Sequence, residues 1–403
     1  MRERLVVVGN GMAAHRLLER LHAKAPDRWA ITVLGAEAWP NYNRILLSAV
    51  LAGDKGADAI METDAAWFAQ RGIVFQPGCR ANRIDRARQA VIDDVGREFP
   101  YDRLVLATGS DPVLLPLPGA NLPEVMTFRD LADVDRLIAA TKTARRAVVI
   151  GGGLLGLEAA SGLQARGLAV TVVHLMGHLM ERQLDADAGA CLRRDLERRE
   201  IAFALSASTV AIEGDGHVEG VRLADGRVLA ADLVVMAVGI RPTTALAREA
   251  GLDIGRGIVV DDSLATSDPA IFALGECAEH RGQTYGLVAP AWAQAAVLAA
   301  RLAGEVAHYR GSIVGTNLKV AGVSVFSAGI IDAAADDEDL LYADPTAGLY
   351  RRIILRDGRV AGAILVGDTV DGGWLFDLIR EGRTVGALRE ALALGRDLAR
   401  AAA

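Results

Sequence analysis

The sequence predicts an α/β protein with two βαβ nucleotide units and a small C-terminal α+β domain, and three observations carry the prediction. Two glycine fingerprints, Gly9-Asn10-Gly11-Met12-Ala13-Ala14 and Gly151-Gly152-Gly153-Leu154-Leu155-Gly156, occur in one chain. Each follows a short apolar run, Leu5-Val6-Val7-Val8 or Ala147-Val148-Val149-Ile150, and each opens helix-compatible sequence. From about Val306 onward, short strand-like runs and turns replace that pattern. Strand, glycine turn and helix in that order mark Rossmann-like dinucleotide-binding domains. Two such loops weigh against the plainer reading that glycines merely end strands.

In each loop the first glycine (Gly9, Gly151) makes the tight turn, and the second (Gly11, Gly153) lets the backbone approach a pyrophosphate. The third position, Ala14 or Gly156, lets the helix pack close to the strand; Met12, Ala13 and Leu155 complete the two turns. The helix N-terminus then aims unpaired N–H groups and a partial positive charge at the phosphates.

At 403 residues, two to three domains are expected. Net charge is −7 with no long basic run, which excludes nucleic acid as a ligand class. No two of Cys79, Cys191 and Cys277 lie close together, which excludes a local CxxC pair or an ordinary iron–sulfur ligand set; buried thiols in a reducing cytosol are expected. Met1-Arg2-Glu3-Arg4 runs straight into a strand, without the apolar stretch of a signal peptide. The stretch 282–300 carries no charge, but Gln283, Pro290 and Gln294 interrupt it, and it reads as a buried helix rather than a membrane span. A cytoplasmic protein, monomer or homodimer, with no membrane or nucleic-acid partner is expected. No metal-ligand constellation is apparent, and the histidines are scattered.

Along the chain, a helix is expected from Met12 to about Lys24 and a strand from Ala30 to Leu34, ending near Glu37. Glu37 lies 23 residues past Ala14, where an acid bonds a ribose hydroxyl. Arg44 sits among apolar neighbours and calls for a partner, either a ligand's diphosphate or ring face or a structural carboxylate. The strand Arg103 to Ala107 runs into Thr108-Gly109-Ser110, and Pro112, Pro116 and Pro118 mark a crossing between domains. The second unit follows: a helix over 154–166, a strand from Ala169 to His174, and a buried strand from Leu233 to Val238 closed by Gly239-Ile240-Arg241-Pro242. A strand from Ile271 to Leu274 meets Gly275-Glu276, and a helix from Ala291 to Ala303 follows with Pro290 before it. Arg351 to Leu355, Gly358 to Val360 and Ala363 to Val366 read as a meander, closed by helices over 375–380 and 385–394. The resulting domains are 1–112 with 240–305, then 113–239, then 306–403.

The order of these motifs resembles the two-dinucleotide flavoprotein reductases, the pyridine nucleotide–disulfide reductase-like superfamily. Three segments narrow the resemblance: Tyr42-Asn43-Arg44-Ile45-Leu46-Leu47-Ser48; His174-Leu175-Met176 with Met180-Glu181-Arg182-Gln183-Leu184-Asp185; and Thr316-Asn317-Leu318-Lys319-Val320 with Gly322-Val323 and Val325-Phe326-Ser327-Ala328-Gly329. These are similar to the flavoprotein module of the NAD(P)H-dependent assimilatory nitrite reductase large subunit and to the flavoprotein that feeds assimilatory nitrate reductase. The chain lacks the cysteine-rich segments that ligate iron–sulfur and siroheme centres in the full subunit, so the resemblance is to the reductase half alone.

The resemblance implies FAD on the first fingerprint and NADH on the second, with NADPH not excluded. Gly9, Gly11 and Ala14 would cradle the FAD pyrophosphate, Glu37 would hold its ribose, and Arg44 would pack near the flavin. Ala107, Thr108 and Gly109 match the strand end over which the cofactor passes, as Gly239 does in the second unit. Gly275 and Glu276 fill the place of a family Gly-Asp that bonds a ribitol hydroxyl, and Ala291 and Trp292 would start the helix facing the flavin pyrimidine edge. Gly151, Gly153, Leu155 and Gly156 would hold the nicotinamide dinucleotide, with Glu158 beside its ring; a plain acid near a helix N-terminus is the alternative. His174 stands where NADH-specific relatives often have an acid, and Arg182 is either a 2′-phosphate partner or a surface residue. Lys319 faces the flavin or an acceptor, or is solvated. No cysteine occurs in 41–51, where disulfide reductases carry a pair, so hydride passes from nicotinamide to flavin and electrons leave without a protein thiol. The implied acceptor is an assimilatory nitrate or nitrite reductase. The alternatives are a rubredoxin or ferredoxin as small iron–sulfur carrier, and a flavin-binding regulator without turnover.

Overall fold

The computed structural model describes residues 2–320 and 322–397. Contacts divide the chain into two compact units, one of Met1–Leu46, Gly56–Asp111 and Ile240–Ser312, the other of Leu47–Lys55, Pro112–Gly239 and Ile313–Ala403.

In the first unit a parallel five-stranded sheet runs in the order Ile271–Ala273, Arg103–Leu106, Glu3–Val8, Trp29–Gly35, Val74–Pro77. Leu5 to Val8 are buried, as a central parallel strand covered on both faces requires. Helix Met12–Lys24 buries Ala14, Leu17, Leu18 and Leu21, a stripe at helical spacing, and packs beside helix Val288–Leu302. The chain leaves Glu3–Val8 toward one sheet edge and later returns through Arg103–Leu106 toward the other. The carboxyl ends of these two strands therefore flank the switch point where α/β sheets bind ligands. An antiparallel meander, Ala81–Asp85, Ala90–Asp93 and Glu98–Pro100, lies on the crossover.

The second unit repeats the plan. Its parallel sheet runs Ile201–Ala204, Ala169–Val173, Arg146–Ile150, Leu233–Met236, Val125–Thr127. Helix Leu154–Ala165 is apolar on most sides and approaches helix Leu47–Ala52 so closely that a Cβ on Gly162 would lie 2.7 Å from Leu51 Cγ. A second meander (Thr209–Glu213, Gly220–Leu223, Val228–Ala230) precedes Leu233–Met236. The C-terminal segment forms an antiparallel five-stranded sheet, ordered Gly315–Val320, Val323–Gly329, Arg359–Val366, Leu349–Arg356, Glu338–Asp344, with helix Gly372–Glu381 over it. Phe326, Ile353, Leu355, Leu365, Leu375 and Leu378 fill its core. Asp185 ties this sheet to helix Ala186–Arg198: it caps the helix at the Ala188 N–H (2.8 Å) and accepts from Tyr350 Oη and Arg352 (2.7 Å each).

Several expected boundaries move. The helix expected from Ala291 begins at Val288, because Pro290 fits within a first turn whose N–H groups have no helical acceptor. The runs 358–360 and 363–366 merge into Arg359–Val366, where Gly362 passes close to its neighbour: a Cβ there would lie 1.9 Å from Ile330 O. The last expected helix is the 3₁₀ helix Gly386–Leu394.

Candidate nucleotide-binding sites

In the first unit, Gly9 turns with φ +106° and its N–H donates to Leu34 O (2.8 Å). A Cβ on Gly9 would lie 2.2 Å from Ala107 O, so a side chain there is excluded by both dihedral and space. At Gly11 a Cβ would meet nothing within 4 Å: the loop is open on the side that a pyrophosphate approaches. Ala14 is fully buried, as the close packing of helix and strand requires.

Polar groups beside this loop are left unsatisfied. Both side-chain polar atoms of Asn10 and Oδ1 of Asn41 are buried with no hydrogen-bond partner among the described residues, while Asn41 Nδ2 donates to Asn10 O (3.0 Å). Buried polar atoms of this kind are normally paired. A ligand with hydroxyl, amide or phosphate groups at this loop satisfies them, so the residues fit a dinucleotide.

Glu37 follows the second strand, and the Tyr42 hydroxyl donates to it (2.6 Å). Arg44 forms an ion pair with Glu37 and lies over the Tyr42 ring, 5.0 Å from its centroid. Of the two partners weighed for Arg44, the structural carboxylate is therefore present. At the strand end, Thr108 Oγ1 donates to Thr243 O (2.7 Å), and Gly109 has φ +69°. Gly275, φ +82°, donates its N–H to Oε1 of the fully buried Gln294 (2.7 Å), and Glu276 accepts from the Ser110 hydroxyl (2.7 Å). The added methylene of Glu276 thus reaches a partner on the neighbouring strand. Ala291 is buried a turn inside its helix, and Trp292 lies under the Arg16 guanidinium, 4.4 Å from its ring centroid.

In the second unit, Gly151 has φ +122° and its Cβ would lie 2.2 Å from Ala237 O; a Cβ on Gly156 would lie 1.9 Å from Gly151 O. Gly153 is open, as Gly11 is. Leu155 is half-buried in the first helical turn, and Gly239, φ +131°, has open space beyond the end of Leu233–Met236. Burial pushes the Glu158 carboxyl up to about 7, and among the described residues nothing forms a hydrogen bond or ion pair with it. His174 Nδ1 accepts from the Gly152 N–H (3.0 Å), and Nε2 lies 3.1 Å from Glu181. Lys319 belongs to strand Gly315–Val320, paired with Ser324, and its side chain lies outside the described residues.

The three cysteines are buried, and burial pushes each thiol up. No group of three or more His, Cys, Asp or Glu among the described residues is arranged to hold a metal. No helix among them is long and apolar enough to cross a membrane. Asn10, Asn41, Ser110, Gln294 and Glu181 were not picked out as site residues by the sequence. Asn10 lies inside the fingerprint, Ser110 at the Thr108-Gly109-Ser110 strand end and Glu181 in the segment Met180 to Asp185, and none of these motifs by itself assigns the residue a role.

Two glycine cradles at two switch points define a fold of the two-dinucleotide-binding class. The chain belongs to the pyridine nucleotide-disulphide oxidoreductase family, whose model matches residues 3–297; residues 315–383 match the rubredoxin NAD+ reductase C-terminal domain. The family match supports a pyridine nucleotide-dependent oxidoreductase. The chain is 48% identical over 381 residues to a nitrite reductase [NAD(P)H] of Bacillus subtilis (strain 168), covering 94% of this chain and 47% of that one. It is 41% identical over 392 residues to the assimilatory nitrate reductase electron transfer subunit of the same organism, covering 97% and 51%. The chain thus spans about half the length of these relatives. A solved ferredoxin reductase from Rhodopseudomonas palustris superposes with TM-score 0.88 at 29% identity, covering 100% of both chains.

Proposed function

We propose that the chain carries electrons from NADH through FAD to a nitrate or nitrite reductase component in the cytoplasm. In this reading the Gly9–Ala14 loop holds the FAD pyrophosphate, with Glu37, Arg44, Thr108, Gly109, Gly275 and Glu276 along the cofactor. The Gly151–Gly156 loop holds NADH, with Glu158 beside the nicotinamide. The observation that carries it is the pair of cradles: each closes its first glycine against backbone and leaves its second open. FAD held by the Gly9–Ala14 loop would supply a ring able to accept hydride from nicotinamide and to release electrons one at a time. The protein binds and aligns the two cofactors and stabilises charge near the ring. With all three thiols buried and held protonated, none is suited to relay electrons.

The similarity to nitrate- and nitrite-reducing relatives supports the acceptor. The test is direct. Purified protein shows a flavin spectrum that bleaches within seconds of NADH addition, and it reduces a purified nitrate or nitrite reductase component faster than it reduces rubredoxin. A colourless protein under flavin-replete conditions refutes the cofactor assignment; faster turnover with rubredoxin refutes the acceptor. That second acceptor class is favoured by the match of residues 315–383 to a rubredoxin reductase C-terminal domain.

A further inference from the structure

The strand end that discriminates between the two nicotinamide dinucleotides carries a histidine in this chain, where the ribose hydroxyl calls for an acid. The structure shows what this histidine does. Its ring packs on the second glycine loop so tightly that a Cβ on Gly152 would lie 2.7 Å from His174 Cγ. Because Nδ1 accepts the Gly152 N–H (3.0 Å), it carries no proton, and the ring proton sits on Nε2. Nε2 donates to Glu181 Oε2 (3.1 Å). The segment bearing Glu181 is fastened to the same loop: Met180 is fully buried with φ +53°, and its N–H donates to Gly152 O (3.0 Å).

A carboxylate is thus held at the rim of the second glycine loop by two independent links, one through the imidazole and one through the backbone. Its second oxygen accepts no hydrogen bond among the described residues. The neighbouring Arg182 is exposed and forms no ion pair among them. We propose that Glu181, with His174 as its positioning residue, selects NADH against NADPH, by accepting the adenosine ribose 2′-hydroxyl and repelling a 2′-phosphate. The inference rests on the assignment of the nicotinamide dinucleotide to this loop. His174 itself cannot make the distinction, since both ring nitrogens are already engaged.

The test uses the FAD-loaded protein and two ligands that undergo no turnover, ADP-ribose and 2′-phospho-ADP-ribose, titrated calorimetrically. The wild-type protein binds ADP-ribose about 100-fold or more tightly than its phosphorylated analogue, since a like-charge contact across a binding surface is strongly unfavourable. Glu181→Gln brings the ratio to about 10 or below, chiefly by tighter binding of the phosphorylated ligand, with the flavin spectrum unchanged. His174→Ala, which releases the carboxylate, lowers the ratio in the same direction. A merely structural defect weakens both ligands together and leaves their ratio fixed. An unchanged ratio in Glu181→Gln overturns the proposal, as does wild-type protein that prefers the phosphorylated ligand through Arg182. Wild-type protein that binds neither ligand overturns the assignment of the nucleotide to this loop, and the proposal with it.

Discussion

Replacing Glu158 by Gln tests whether burial governs this site. In the folded protein its carboxyl is pushed up to about 7 from the ordinary 4.5. No ion pair or hydrogen bond among the described residues compensates, so the proton-bound form is the one the native structure favours. The native state therefore binds the proton more tightly than the unfolded chain. The resulting stability is fully present below about pH 4.5 and is lost as pH rises through about 7. At about 1.4 kcal/mol per pKa unit, the shift gives a ceiling of about 3 kcal/mol; the half-buried carboxyl keeps some contact with water, and about 2 kcal/mol is expected. Gln has the same shape and does not titrate. Urea unfolding of wild type and Glu158→Gln, followed by circular dichroism at pH 5 and pH 8.5, measures the effect. Glu158→Gln should gain about 2 kcal/mol relative to wild type between the two conditions. A difference that stays constant within about 0.5 kcal/mol refutes the argument, because it leaves no folded-state proton to lose.

The glycine loops separate space from ligand: Gly11→Val, at a position with nothing within 4 Å, should lose FAD and melt at the temperature of FAD-free wild type, whereas Gly9→Ala, 2.2 Å from Ala107 O, should melt below it. Absorbance at the flavin band and a thermal melt distinguish the two. Gly156→Ala forces a Cβ to 1.9 Å from Gly151 O and should abolish NADH binding while flavin absorbance remains, which a titration of the oxidised protein reads. Asp185→Ala removes a helix cap and the acceptor of Tyr350 and Arg352, and should cost about 2–4 kcal/mol in denaturant unfolding. Native protein should react with Ellman's reagent at fewer than one thiol and unfolded protein at all three, since Cys79, Cys191 and Cys277 are buried.

Legibility in the sequence followed how local the signal was. Both parallel units were readable, because apolar runs such as Val6-Val7-Val8 and Val148-Val149-Ile150 are buried on both faces and lead directly into glycines whose dihedrals no other residue adopts easily. The two meanders on the crossovers were not foreseen. Their strands are three to five residues long, and Ala90–Asp93 and Gly220–Leu223 are mostly buried while their neighbours are not, so no alternation is long enough to stand out. The helix starting at Val288 is expected three residues late, from Ala291, because Pro290 reads as preceding the helix, whereas it belongs to the first turn.

The two glycine fingerprints and the absence of a CxxC pair were determined by the sequence alone, because each depends on residues adjacent in the chain. Only the tertiary structure decided the partners. Arg44 turns to Glu37, Ser110 to Glu276, Gln294 to the Gly275 N–H, and His174 holds Glu181 against the loop of Gly152. Such pairs join residues 7 to 166 positions apart, and side-chain hydrogen bonds over those separations are fixed by the packing of the sheets that carry them, which no local pattern records.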